Sequence, residues 1–337
     1  MPTIDSLVSA VSLDTTAKRV YTCIVTIVTL IVVLLVGSVL ISLMIEALRR
    51  APPLPDKLAW APQIPIQYTT VKGHRLRYIK TGRGPTLVLL HTLRTQLDIF
   101  QKIIPSLARR FTVYSLDYPG HGYSDIPRVD YEPALFTEAV AGFLHQLDVR
   151  DATVAGVSIG GTIALLLAAQ QNPRVTKVVA INPYDYGRGS GLRRSSTTAY
   201  VIASVARIPV LGDTVMRFRN RMVEGRIFEG GVAEPADIPP QFMEELYLVG
   251  MRRGHYQAFL SLLRHAHKWD DARLRYHDIT VPVLLIYGER DWSRPNERHT
   301  ALQQIPGARM ETVAGGGHFL SLDRPREVER LIGEFAS

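Results

Sequence analysis

The sequence has a single cysteine, Cys23, inside an apolar run near the N-terminus. The rest of the chain therefore holds no disulfide, no cysteine-ligated zinc or iron–sulfur cluster and no thiol nucleophile. A dense run of Lys or Arg interleaved with aromatics is also missing, so nucleic acid is not an expected partner. Internal repeats are lacking, which excludes solenoids and propellers. What is present is 337 residues, 46% of them apolar, enough for a full core in one large domain or two ordinary ones. Wholesale disorder and collagen-like repeats are excluded as well. The net charge of +8 is spread along the chain and suits an anionic membrane surface.

From Val20 to Ile45 the chain runs 26 residues without a charge, with Lys18 and Arg19 before and Glu46, Arg49 and Arg50 after. As a helix this run rises roughly 39 Å, more than the ~30 Å hydrocarbon layer. It is also longer than the roughly 7–15-residue apolar core of a cleaved signal peptide. The expectation is a tail over residues 1–19 and one transmembrane helix over 20–45, giving a single-pass membrane protein. The flanking charges, Lys18 and Arg19 against Arg49, Arg50 and Lys57, differ by one and favour a cytoplasmic position for the large domain. Residues 46–65, with five prolines from position 51 onward, read as a stiff, extended linker.

Beyond the linker, strand-like runs at Thr86–Leu90, Thr112–Leu116, Ala152–Val157, Lys177–Ile181 and Val281–Tyr287 alternate with helical candidates at Ile99–Arg110, Leu135–Leu147 and Gly161–Gln171. Runs apolar at consecutive positions predict strands covered on both faces, and the alternation predicts an α/β fold with a mostly parallel sheet. The alternation stops after Pro183. Helical stretches such as Ala203–Met222 and Phe242–His267 follow, and strand character returns at Val281. Residues 66–185 are thus read as the first part of the core, 186–276 as a helical cap and 277–337 as the second part, the cap lying over the sheet's carboxyl edge, where open α/β sheets bind ligands.

The strand Ala152–Val157 leads into Ser158 within Gly156-Val157-Ser158-Ile159-Gly160, a G-x-S-x-G pattern followed by a helix. A serine on such a turn projects its hydroxyl from the sheet edge, and the helix N-terminus beneath it favours a developing oxyanion. The hydroxyl needs a base, and the base a carboxylate to orient it. The run VPVLLIYGERDW places Asp291 four residues past the strand-ending Tyr287, and His318 follows a Gly-rich loop 27 residues later. Asp185, in Asn182-Pro-Tyr-Asp185, is the rival acid. Each of these residues also has a plain structural reading, as a turn serine or a satisfied buried histidine.

Four stretches together resemble the α/β-hydrolase superfamily, in its branch of capped esterases, epoxide hydrolases, haloalkane dehalogenases and carbon–carbon bond hydrolases. They are Leu89-Leu-His91-Thr-Leu93, Asp117-Tyr-Pro-Gly-His-Gly-Tyr-Ser-Asp125, the turn around Ser158, and Gly288-Glu-Arg-Asp291 with Gly317-His318-Phe319. The resemblance spans about residues 66–336. It implies the α/β-hydrolase fold with helices on both faces and an inserted cap, Ser158 as nucleophile, His318 as base and Asp291 as acid. A serine rather than an aspartate at the turn implies acyl transfer and argues against dehalogenase or epoxide hydrolase chemistry.

By position, the N–H groups of Leu93 and Ile159 form the oxyanion hole, although the His-Gly usual in the family is here His91-Thr92. The expected activity is that of a membrane-anchored serine hydrolase on a hydrophobic carboxylic or lipid-like ester, with no cofactor and no metal. A carbon–carbon bond hydrolase acting on a diketone-type acid, or a non-catalytic binding protein on the same fold, is the alternative. Oligomeric state is not legible. The Asp117–Asp125 stretch is read as structural, His265 and His267 as an unsuitable metal pair because helix residues two apart face different ways, and Arg94 as a loop or substrate-facing residue.

Overall fold

The computed structural model describes residues 4–337, with side chains for all but 4–14, 16 and 188 of these. Two compact units divide at Leu48 and Arg49. The first is one helix, α1 (Ile4–Leu48), in which Ala17–Leu48 is long and apolar enough to cross a membrane. A signal sequence passes the same test of length and composition.

The second unit is built on a sheet that has nine strands among the described residues. In chain order these are β1 (Lys57–Leu58), β2 (Ala61–Val71), β3 (His74–Thr81), β4 (Thr86–Leu90), β5 (Thr112–Leu116), β6 (Ala152–Val157), β7 (Val175–Ile181), β8 (Val283–Gly288) and β9 (Arg309–Val313). Their spatial order is β1-β2-β3-β5-β4-β6-β7-β8-β9. The first three pair antiparallel, β3 meets β5 antiparallel, and every later pairing is parallel. All residues of β6 and β8 are buried, which requires cover on both faces and explains their largely apolar sequences, Thr153 being the polar member.

Between the strands run α2 (Ile104–Leu107), α3 (Pro133–Gln146) and α4 (Ile159–Ala169). Helix α4 is buried along its whole length and packs on β4, β6 and β7. Between β7 and β8 the chain forms α5 (Gly191–Ser195), α6 (Thr197–Ala206), α7 (Leu211–Arg217), α8 (Arg221–Glu229), α9 (Pro240–Gly250), α10 (His255–Arg264) and α11 (His267–Asp270), then a 3₁₀ segment from Asp271 to Asp278. The chain ends with α12 (Pro295–Gln304), α13 (Leu320–Asp323) and α14 (Pro325–Ala336).

Three expectations need correction. The segment read as a linker is partly sheet, because Lys57–Leu58 and Ala61–Pro65 belong to β1 and β2. Pro62 and Pro65 are tolerated there because this is the sheet's edge, where a missing N–H breaks no central ladder. The predicted helix Ile99–Arg110 shrinks to a 3₁₀ turn, Leu97–Phe100, and the four residues of α2. Each long helix predicted between β7 and β8 is broken, at Pro209-Val210, where Val210 has φ +63°, and at Gly254, where φ is +82°.

Candidate active site

Strand β6 ends at Val157 and α4 starts at Ile159, so Ser158 alone makes the turn, with φ +57° and ψ −119°. Such a backbone costs a non-glycine residue about 1–3 kcal/mol and persists only where its surroundings enforce it. Here they do. The Ser158 N–H donates to the Ile181 carbonyl (2.8 Å), and the Ser158 carbonyl accepts from Thr162 N–H (3.1 Å). The flanking glycines permit the approach, because a Cβ on Gly156 would stand 2.1 Å from the Gly160 oxygen and one on Gly160 2.1 Å from the Leu90 oxygen.

His318 arrives on the loop after β9. Asn182, just past β7, holds that loop by donating its side-chain amide to the carbonyls of His318 (2.8 Å) and Gly317 (3.1 Å). Its amide oxygen accepts from Gly288 N–H (2.9 Å), tying the loop to the end of β8. Asp291 follows β8, and one of its oxygens lies 2.5 Å from His318 Nδ1. His318 Nε2 lies 2.9 Å from Ser158 Oγ.

The side chains of Asp291 and His318 are inaccessible to solvent, as is Ser158. Because a carboxylate accepts from Nδ1–H, Nε2 is the free acceptor that faces the serine hydroxyl. Burial pushes the Asp291 carboxyl up, but the His318 imidazole and the N–H and hydroxyl of Ser293 outweigh it and hold the group below the usual carboxylate range. The Trp292 indole stacks on the His318 ring, and its Nε1–H donates to the Gly230 carbonyl (2.9 Å) between β7 and β8.

The rival acid lies elsewhere. Asp185 is buried, ion-paired with Arg273 (2.9 Å) and bonded by the Tyr276 hydroxyl (2.6 Å). Desolvation pushes its carboxyl up despite the Arg273 charge.

Ile159 is the first residue of α4, where backbone N–H groups lack intrahelical acceptors. Leu93 sits in the turn after β4, and the contact of Gly160 with the Leu90 and His91 carbonyls abuts that strand end on the start of α4. His91 fixes the turn. Its Nδ1–H donates to the Thr92 carbonyl (2.7 Å) and its Nε2 accepts from Tyr118 N–H (3.3 Å), which sets the tautomer of a ring that desolvation keeps neutral.

Leu93, Thr92, Trp292 and Phe319 form one wall of a cavity of about 190 Å³, and the segment from α5 to α10 supplies most of the rest. Most of its lining is apolar. An ion pair on its lining joins Arg94 to Glu224 (3.0 Å), so Arg94 is already occupied. Of the other arginines between β7 and β8, Arg194 is held by Glu297 (2.7 Å) and Arg221 by Glu244 (2.5 Å).

Asp117 accepts from Leu97 N–H, Tyr123 N–H and Arg77, which makes its stretch a brace. His265 groups with Asp130 and Glu132 rather than with His267, and Lys268 sits on Glu132. Sequence reasoning missed Asn182 and Trp292. Trp292 adjoins Asp291 and Asn182 directly follows β7, but neither position by itself reveals the contacts the side chain makes.

A mostly parallel sheet with helices inserted before its last strands, and with serine, histidine and carboxylate meeting at its carboxyl edge, defines the α/β hydrolases as a class. The chain belongs to the alpha/beta hydrolase fold family, whose model matches residues 85–325, and membership points to hydrolytic chemistry. Among similar proteins is the pimeloyl-[acyl-carrier protein] methyl ester esterase of Nitrosomonas europaea, 29% identical over 73% of this chain and 94% of that protein. The enol-lactonase of Burkholderia xenovorans LB400 superposes with a TM-score of 0.65 at 23% identity, covering 80% of this chain and 99% of that one. A membrane phospholipase A superposes with a TM-score of 0.68 at 20% identity, covering 95% and 97%. At these identities the two structures share the fold.

Proposed function

We propose that the chain is a membrane-anchored serine hydrolase that cleaves hydrophobic carboxylic esters through an acyl-enzyme. The observation that carries this reading is the continuous contact from Asp291 through His318 to Ser158, at 2.5 and 2.9 Å. Ser158 Oγ attacks the ester carbonyl carbon while its proton passes to His318 Nε2. The tetrahedral oxyanion is met by the N–H groups of Leu93 and Ile159, each such donor being worth about 2.7–4 kcal/mol of barrier. Collapse breaks the carbonyl–alkoxy bond, and His318 hands its proton to the departing alcohol. Water, activated by the same imidazole, then releases the acid and restores Ser158.

The methyl ester esterases among the relatives support an ester substrate. The apolar cavity wall supports a hydrophobic one, and the length of the apolar segment Ala17–Leu48 supports a permanent anchor over a signal sequence. The test is labelling with a fluorophosphonate probe together with hydrolysis of p-nitrophenyl esters. Wild type labels and turns over, and Ser158→Ala does neither while keeping its circular dichroism spectrum. An unlabelled, inert wild type, beside a control hydrolase that reacts, overturns the assignment.

A further inference from the structure

We propose that the face formed by α6, α7 and α8 docks into bilayer hydrocarbon, so that a lipophilic ester reaches the cavity without passing through water. This rests on reading Ala17–Leu48 as a membrane span and Ser158 as the nucleophile.

These helices are apolar on the wrong side for water. They bury Ala199, Ala203, Met216 and Phe228 inward, yet Tyr200, Val201, Ile208, Val210, Leu211 and Met222 are exposed, Met222 by 76%. Residues 197–211 carry one charge, Arg207. Single exposed apolar side chains are ordinary on a soluble surface, but a concentration over three packed helices marks an interaction site.

The cavity opens through the same face. Ile202, Val215 and Val223 line it from α6, α7 and α8, and Phe218, between α7 and α8, both lines the cavity and is 41% exposed. Phe218 therefore marks the mouth.

Lipid is favoured as the occupant by chain connectivity. Arg49, the residue directly after the apolar segment, donates to the carbonyl of Arg217 (2.8 Å), the residue directly before Phe218. A span ending at Leu48 leaves the bilayer at its interface, and Arg49 pins the mouth to that point. Apolar side chains held at an interface partition into the acyl boundary.

The test uses the full chain in phosphatidylcholine vesicles. In a Cys23→Ser background, an environment-sensitive fluorophore is placed on Met222→Cys or, as control, on Arg326→Cys, exposed on α14. Lipids brominated on their acyl chains quench the first and spare the second. Equal quenching at both positions, or none at either, overturns the proposal. In parallel, Val201→Asp combined with Met222→Asp lowers hydrolysis of a vesicle-embedded long-chain ester about tenfold or more, while p-nitrophenyl butyrate stays within about twofold. An equal loss on both substrates overturns it, as does a wild-type dimer that the double variant dissociates without any effect of brominated lipid. Quenching at position 222 in a wild type that cleaves neither ester upholds docking and instead counts against the serine hydrolase reading.

Discussion

The indole of Trp292 lies flat on the imidazole of His318, with ring centroids 3.7 Å apart and planes 11° from parallel. The same indole donates to Gly230, while the His318 loop donates Phe319 N–H to the Gly231 carbonyl (2.8 Å) and Asp323 accepts from Ala233 N–H (3.1 Å). The segment 230–233 thus grips both loops that carry Asp291 and His318. Stacked aromatic pairs are worth about 0.5–1.5 kcal/mol beyond the area they bury. Trp292→Leu is expected to lower kcat about two- to tenfold on a soluble ester, and Trp292→Phe to restore most of it. Steady-state kinetics decide the point, and an unchanged kcat in the leucine variant would reduce the stack to mere packing.

The two candidate acids separate cleanly by mutation. Asp291→Asn leaves a group of the same shape that no longer holds Nδ1 protonated, and comparable triads lose about 10⁴-fold in kcat on this change. Asp185→Asn weakens the buried bonds to Arg273 and Tyr276, so its expected effect is a lower melting temperature with kcat changed less than about threefold. Measuring kcat and thermal unfolding on both variants checks the assignment. The opposite pattern would move the acid to the end of β7.

What could be read in advance follows from how each element is buried. Strands β4 to β8 are apolar because the sheet is covered on both faces, and Ser158 announces itself because a G-x-S-x-G turn between strand and helix is rare without purpose. The hairpin β2–β3 escaped notice because it alternates apolar with polar residues, as in Ile66-Gln67-Tyr68-Thr69 and Arg75-Leu76-Arg77-Tyr78, in place of the continuous apolar runs of the central strands. That alternation is joined by Lys72-Gly73, both at positive φ between Val71 and His74, the two-residue turn of a tight hairpin. Asn182 and Trp292 were opaque for a different reason: what they do depends on the meeting of loops more than a hundred residues apart in sequence, or on a ring stacked face to face, and no local pattern encodes either.

Arg77 shows what that hairpin contributes. It is buried, 2.6 Å from both Asp98 and Asp117, and its charge is retained because the two carboxylates outweigh desolvation. Asp98 also accepts from the Trp60 indole (2.7 Å), so the edge of the sheet, the turn before α2 and the loop after β5 share one charged knot. Arg77→Met leaves two buried carboxylates without a counter-charge, and an unpaired buried ion costs about 3–5 kcal/mol. The expected fall in melting temperature is roughly 6–20 °C. Adding Asp98→Asn and Asp117→Asn should recover part of it, which thermal unfolding of the three chains would reveal.

Acid should loosen the fold before it reaches the carboxylates. His91, His121 and His255 are buried, and desolvation foremost lowers the affinity of each for a proton, His121 to about 4. Once unfolded, each takes a proton near pH ~6.5. Below that pH the unfolded chain binds more protons than the native one, so stability falls as pH drops from about 6.5 toward 4, by at most ~4 kcal/mol per pH unit for three protons. Asp291, held below the usual carboxylate range, adds to the loss only below pH ~4. Among the described residues neither ring nitrogen of His255 meets a hydrogen-bond partner, and Arg94, Arg219, Arg252 and His121 all oppose charge on it. His255→Leu is therefore expected to match wild type at pH 8 and to cut the acid slope by about a third, or ~1.4 kcal/mol per pH unit. Denaturant midpoints of the detergent-solubilised chain between pH 5 and 8 measure this, and an undiminished slope in the variant would mean that His255 takes up its proton in the folded state.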